Sequence, residues 1–138
     1  MAGTDGQPDV VVVEDNEDEA RMTLMSLRRI EPAPKVVVIP DGQQAIDQLT
    51  GETHLRPQVV LLDLKLPKVH GLDILAAIKA GAEKMAVLIL TSSDHPADIE
   101  RAQSLGCDGY LCKPIDWEEY VQLVCRSTAR YLKDSSCG

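Results

Sequence analysis

The stretch "VVLLDLKLPKVHG", residues 59–71, runs an apolar segment straight into a charge. Four apolar residues lead straight into a carboxylate, Asp63, and a proline and a glycine follow at Pro67 and Gly71. A short, continuous apolar run bounded by loop residues reads as a strand buried on both faces. A carboxylate at the tip of such a strand adds nothing to packing. Its purpose has to be sought at the ends of the neighbouring strands.

Four other stretches repeat the pattern: "DVVVVED" (9–15), "KVVVIP" (35–40), "MAVLILT" (85–91) and "GYLCK" (109–113). Helical periodicity fills the gaps between them. Asn16 and Glu19 fit a capping box, and Ala20, Leu24, Leu27 and Ile30 continue that helix until "EPAP" (31–34) breaks it. Ala45, Ile46 and Leu49 mark a second helix ended by Gly51, and Leu72, Leu75 and Ile78 a third closed by Gly81. Ser93 or Asp94 caps a fourth, with Pro96 in its first turn and Ile99, Ala102 and Leu105 on its inner face. Asp116 and Glu119 open the fifth, which runs to about Leu132. Buried strands joined by helical crossovers give an α/β, flavodoxin-like fold: a doubly wound five-stranded parallel sheet with helices on both faces. Residues 1–8 read as a flexible leader, 9–132 as one domain and 133–138 as a flexible tail.

Composition narrows the function. The 138 residues are 44% hydrophobic and 26% charged, the balance of one globular domain, and without Phe the core must be aliphatic. A net charge of −8 argues against nucleic acid and anionic membrane surfaces as partners. No apolar run approaches the roughly 20 residues of a membrane span. The polar N-terminus lacks a signal pattern, so a cytoplasmic protein is expected. Cys107, Cys112, Cys125 and Cys137 show no metal or C-x-x-C spacing and are expected as reduced thiols, Cys112 and Cys125 as small core residues. His54, His70 and His95 are expected on the surface.

Ligands of open α/β sheets bind outside the carboxyl ends of the strands. Here those ends carry Glu14 and Asp15, Asp63, Thr91 with Ser92 and Ser93, and Lys113 followed by Pro114. Three clustered carboxylates repel one another, and a hard divalent cation, Mg²⁺, offsets them with oxygen ligation. Asp15 and Asp63 are the natural direct ligands, Glu14 acts through a water, and the Lys65 carbonyl offers a further oxygen. A carboxylate can also be a nucleophile toward phosphorus. Asp63, between the acid pair and Lys113, is the expected acceptor. Lys113, the Thr91 hydroxyl and nearby backbone N–H groups are the expected partners of the phosphoryl oxygens.

With these residues in place the chain resembles the receiver domains of two-component response regulators. The resemblance rests on "VVEDN", "LLDLKLPKVHG", "LTSS" and "YLCKP", in order on the expected strand ends, and spans residues 9–132. It implies the sheet order second-first-third-fourth-fifth. It also implies a histidine kinase as phosphoryl donor to Asp63, with Mg²⁺ held by Glu14, Asp15, Asp63 and the Lys65 carbonyl. Thr91 and Lys113 then bind the phosphoryl group, Tyr110 is the switch aromatic, Lys65 and Ser93 tune dephosphorylation, and the Lys113–Pro114 bond is cis. The pair Glu14–Asp15 departs mildly from the Asp-Asp form, and His70 stands where an acid is frequent.

The wording of "VVVEDNEDEA", of residues 50–71 and 90–124 and of the late "ARYL" (129–132) is similar to the single-domain regulators partnered with bacterial phytochromes. That likeness implies output through protein contact rather than an attached domain. Apolar Tyr120, Val121, Val124, Tyr131 and Leu132 suggest a homodimer through the fourth helix, fifth strand and fifth helix. The expected protein is a signalling phosphoacceptor with slow autodephosphorylation rather than an enzyme. An aspartate-nucleophile phosphatase is the alternative, but it needs an acid where Lys65 stands. A pseudo-receiver would have no need of Asp15, Asp63, Thr91 and Lys113 together. A flavin or nucleotide module would need a phosphate loop where "EDNEDE" places acids.

Overall fold

The computed structural model describes residues 6–51, 54–81 and 84–137. The expected leader therefore lies largely outside the described residues. Of its described part, Pro8 is buried and the Gln7 side chain accepts a hydrogen bond from the Arg56 backbone.

The elements in chain order are β1 (Val10–Val13), α1 (Glu17–Leu27), β2 (Ile30–Glu31), β3 (Val36–Ile39), α2 (Gly42–Thr50), β4 (Val59–Leu62) and α3 (Gly71–Ala80). They continue with β5 (Ala86–Thr91), α4 (Pro96–Ser104), β6 (Gly109–Cys112), α5 (Trp117–Ala129) and β7 (Ser136–Cys137). The main sheet has the order β3-β1-β4-β5-β6, all parallel. This is the order expected for the five apolar runs, with β1, β4 and β5 in the interior.

Alternation along each strand sorts the core into two layers. Val11, Val13, Val60, Leu62, Val87 and Ile89 face α2, α3 and α4, where Ala45, Leu49, Ile74, Leu75 and Ile78 meet them. Val10, Val12, Val59, Leu61, Leu88 and Leu90 face α1 and α5, against Leu27, Tyr120, Val124 and Cys125. Both faces of the sheet are covered, which is why its strands are apolar without a break.

Several local expectations change. Helix α1 stops at Leu27, and Ile30 belongs to β2, which pairs antiparallel with β7. The segment expected to fray as a tail is tied down: Ile30 aligns with Cys137 and Glu31 with Ser136, and Cys137 forms a disulfide with Cys125. The expectation of four reduced thiols is thus corrected. Sequence spacing could not reveal that the β2–β7 pairing brings the two Cα atoms to 5.6 Å. Cys125 is buried as expected, but Cys112 is exposed. Tyr120, Val121, Val124 and Leu132 are buried too, so the apolar surplus expected on the last helix is spent inside. Helix α4 takes His95 as its cap, with Pro96 at the first helical position, and α3 takes His70; each accepts through Nδ1, from Ala97 and Leu72 respectively.

Candidate functional site

The sheet ladder extends one residue past β1, β4 and β6 and so fixes the backbone of the site. The Glu14 N–H donates to the Ile39 carbonyl (3.2 Å) and the Asp63 N–H to Val13 (3.2 Å). The Lys113 N–H donates to Thr91 (2.7 Å). Glu14, Asp63, Thr91 and Lys113 are thereby held at one edge, the carboxyl edge, by main-chain bonds.

The loop after Asp63 folds back on itself. The Lys65 N–H donates to Asp63 Oδ1 (3.0 Å), and the Gly71 N–H donates to the Leu64 carbonyl (3.1 Å). A Cβ at position 71 would lie 2.5 Å from the Asp63 carbonyl oxygen and 2.6 Å from Leu64 Cα. Only glycine lets α3 start this close to the acidic loop. Leu64 is buried as a plug, while the Lys65 side chain is exposed at the mouth.

Lys113 is the centre of the site. Its Nζ donates to Glu14 Oε1 (3.2 Å), to Asp63 Oδ2 (3.3 Å) and to Glu19 Oε1. The side chains of Lys113, Glu14 and Asp63 are 9%, 5% and 8% exposed, whereas that of Glu19 is 40% exposed. Burial, with the Asp63 charge next, pushes Glu14 up to about 7 despite the opposing Lys113 charge. For Lys113, burial is the largest single influence and acts downward. The Glu19 hydrogen bond and the charges of Asp63 and Glu14 outweigh it, so the ammonium titrates above its usual range.

Glu19 is the residue that sequence reasoning missed in this role. It reads as the far half of a capping box, and its N–H does donate to Asn16 Oδ1 (2.9 Å). The reciprocal bond to the Asn16 N–H comes instead from Glu14 Oε2 (3.3 Å), which leaves the Glu19 carboxylate to Lys113. Oxygens of Glu14, Glu19 and Asp63 lie within 4.8 Å of one another. Asp15, one of the two expected direct ligands, is exposed and stands outside this group, whereas Asp63, the other, belongs to it.

Thr91 is fully buried, and its oxygen accepts from the Ser93 N–H (3.3 Å), so its own proton is not spent on that bond. Ser93 Oγ bonds Asp98 Oδ2 (2.7 Å), and the Ser93 carbonyl accepts from the Tyr110 hydroxyl (2.9 Å). A continuous chain of hydrogen bonds thus runs from Thr91 through Ser93 to Tyr110. Among the described residues, the cis peptide bond joins Glu31 and Pro32, so the expected cis Lys113–Pro114 is corrected to trans. The two X–Pro isomers differ by only about 0.5–1 kcal/mol, so a Lys-Pro pair does not dictate the isomer.

Residues 10–125 match the family model described as the response regulator receiver domain. The chain belongs to the response regulator receiver family. Such proteins are signalling components of two-component systems. The receiver is 36% identical over 122 residues to the probable transcriptional regulatory protein TcrX of Mycobacterium tuberculosis, covering 88% of this chain and 50% of TcrX. It therefore spans about half the length of that relative. Among solved structures, the phosphorylated cyanobacterial phytochrome response regulator RcpA superposes with a TM-score of 0.83 at 29% identity, covering 93% of this chain and 96% of RcpA. The Mn²⁺-bound form of response regulator Rcp1 gives 0.81 at 27% identity, covering 94% and 97%. Among the described residues, no helix is long and apolar enough to cross a membrane.

Proposed function

We propose that this receiver accepts a phosphoryl group from a sensor histidine kinase onto Asp63. The observation that carries the reading is the buried Asp63 carboxylate at the tip of β4, held by the Lys65 N–H and Lys113 Nζ beside Glu14. An Asp63 oxygen attacks phosphorus as the phosphorus–nitrogen bond of the donor breaks, and Lys113 and the Thr91 proton take up charge on the transferred oxygens. Autodephosphorylation is attack of water on the same phosphorus as the Asp63 oxygen–phosphorus bond breaks, which returns the carboxylate and releases inorganic phosphate. Lys65, exposed at the mouth, and Ser93, engaged with Asp98, are the residues beside that path.

Mg²⁺ fits the donor set, because the hard carboxylate oxygens of Glu14 and Asp63 converge with Glu19 nearby. Asp15, at the rim, and the Lys65 carbonyl complete the proposed holders. The bound ion would neutralise charge on the acids and on the phosphoryl group. The Mn²⁺-bound state of Rcp1 supports a divalent site in a similar chain.

Phosphorylation adds about −1.5 to −2 charges at the carboxyl edge. When the Thr91 hydroxyl turns to that charge it releases the Ser93 N–H, and the Ser93 carbonyl is the anchor of Tyr110. The switch thus passes along the Thr91–Ser93–Tyr110 chain to α4, β6 and the start of α5. A partner would meet Ile115, fully exposed two residues after Lys113, and half-exposed Trp117, stacked on Tyr120 with centroids 5.9 Å apart. The similarity to RcpA, a phytochrome response regulator, supports a phytochrome-type kinase as the phosphoryl donor. A homodimer through α4, β6 and α5 would have to use other surface than the buried Tyr120, Val121, Val124 and Leu132. The phosphatase alternative lacks its acid, since the exposed side chain two residues after Asp63 is a lysine.

The test is labelling with acetyl phosphate and Mg²⁺, in wild type and Asp63→Asn. Phosphorylation of the wild type alone is expected; equal labelling of both would remove Asp63 as the acceptor.

A further inference from the structure

We infer that Glu19 is the resting-state partner of Lys113 and competes with the phosphoryl group for its ammonium. This positioning role rests on the proposed phosphoacceptor reading.

Lys113 has three N–H donors, and the structure gives one to each of Glu14, Asp63 and Glu19. A phosphoryl group on Asp63 needs at least one of them. The three carboxylates differ in what release would cost. Glu14 and Asp63 are almost completely buried, and either one left without its cation must hold an unpaired charge in a medium that solvates it poorly or take up a proton. The Glu19 side chain is 40% exposed, so water replaces the ammonium there at little cost. Glu19 is therefore the partner that lets go.

Its place on the helix makes the exchange local. Glu19 sits in the first turn of α1, and its backbone N–H stays bonded to Asn16 Oδ1 whichever way the side chain points. The Glu14 side chain completes the cap from the other side. Release of the Glu19 carboxylate thus leaves the helix start intact and needs only a side-chain rotation. While Lys113 is held by Glu19, only the released fraction is competent for the phosphoryl group, and the apparent affinity for it is reduced by that fraction.

The experiment is titration of the full chain with beryllofluoride, a stable phosphoryl mimic, in saturating Mg²⁺, followed by ¹⁹F NMR. Because water reaches the Glu19 end of the pair, its release is set at the surface-pair value of about 0.2–1 kcal/mol, so Glu19→Gln should bind about 1.5- to 5-fold tighter than wild type. Glu19→Asp, which keeps the charge but shortens the reach, should fall between them and provides the same readout should Gln disturb folding. Glu17→Gln removes an equal charge from the same exposed first turn without touching Lys113 and should bind as wild type does. Asp63→Asn should show no bound signal. Wild-type affinity in both Glu19 variants overturns the inference, as does equal tightening by Glu17→Gln; in either case Asp63-dependent binding would leave the phosphoacceptor reading intact. Absence of Asp63-dependent binding in the wild type would instead overturn the phosphoacceptor reading and the inference with it.

Discussion

Replacing Lys113 with methionine removes one charge and little volume from the centre of the site. What remains is Glu14 and Asp63, both buried, with their carboxylate oxygens close together and only half-exposed Glu19 beside them. Removing one partner of a buried pair costs about 3–5 kcal/mol when the other must stay charged. Glu14 can avoid part of that cost, because its carboxyl already titrates at about 7 with Lys113 present and must titrate higher without it. We therefore expect Lys113→Met to lose about 3 kcal/mol of stability at pH 7.5 in EDTA, toward the low end of that range. The sign with pH follows from the raised pKa. A carboxyl that holds its proton more tightly when folded favours the folded state at low pH and loses that advantage as it ionises. At pH 5 Glu14 is protonated, and its share of the loss should disappear, leaving a smaller loss that comes from Asp63 without its partner. Mg²⁺ at neutral pH should restore most of it by replacing the missing positive charge. Urea unfolding of both proteins at pH 5 and 7.5, with EDTA or Mg²⁺, measures all four differences. A loss of the same size under every condition would show that Lys113 stabilises by packing and would refute the electrostatic account of the site.

Three further outcomes follow from particular contacts. Metal-free wild type should lose stability as pH rises from about 4.5 toward about 7, the interval over which Glu14 is protonated only in the folded state, and Mg²⁺ should flatten that slope; urea midpoints across the interval check it. Gly71→Ala should cost about 1–3 kcal/mol and reduce acetyl phosphate labelling, because the new Cβ drives into the Asp63 carbonyl and Leu64; a variant with unchanged stability and labelling would contradict the close approach. Cys137→Ser should lower stability by about 3 kcal/mol under oxidising conditions, since the bond closes a separation of 12 residues, and reduction of the wild type should have a similar effect in thermal unfolding.

The parts of the fold legible in the sequence are those set by local pattern. Unbroken apolar runs such as Val10–Val13 and Val59–Leu62 require burial on both faces, and that requirement alone yields the covered parallel sheet. Asp63, Glu14 and Lys113 were legible as a site because each directly follows a strand, and parallel strands deliver their ends to one edge. What escaped depends on contacts between distant segments. Ile30 continues the helical spacing of α1, and only its pairing with Cys137 makes it a strand. The Cys125–Cys137 bond depends on the same pairing. Glu19 carries an unambiguous local signal, the capping box, and the structure keeps half of it while the carboxylate turns to a lysine 94 positions away. Tyr120 reads as spare surface from its own helix alone; its hydroxyl meets Thr23 Oγ1 at 2.8 Å in the buried seam between α1 and α5. His70 and His95 lie on the outside of the fold, yet each closes a helix start that the sequence assigned to other residues or left open.

The proposed carrier of the phosphoryl group is Asp63. An acyl phosphate is reduced by borohydride to an alcohol, which marks the acceptor as homoserine in a peptide mass map. After treatment with acetyl phosphate and Mg²⁺, reduction should place homoserine at position 63 and leave Glu14, Asp15 and Glu19 unmodified. Homoserine at position 15, or a reduced acid at position 14 or 19 with Asp63 intact, would contradict the account.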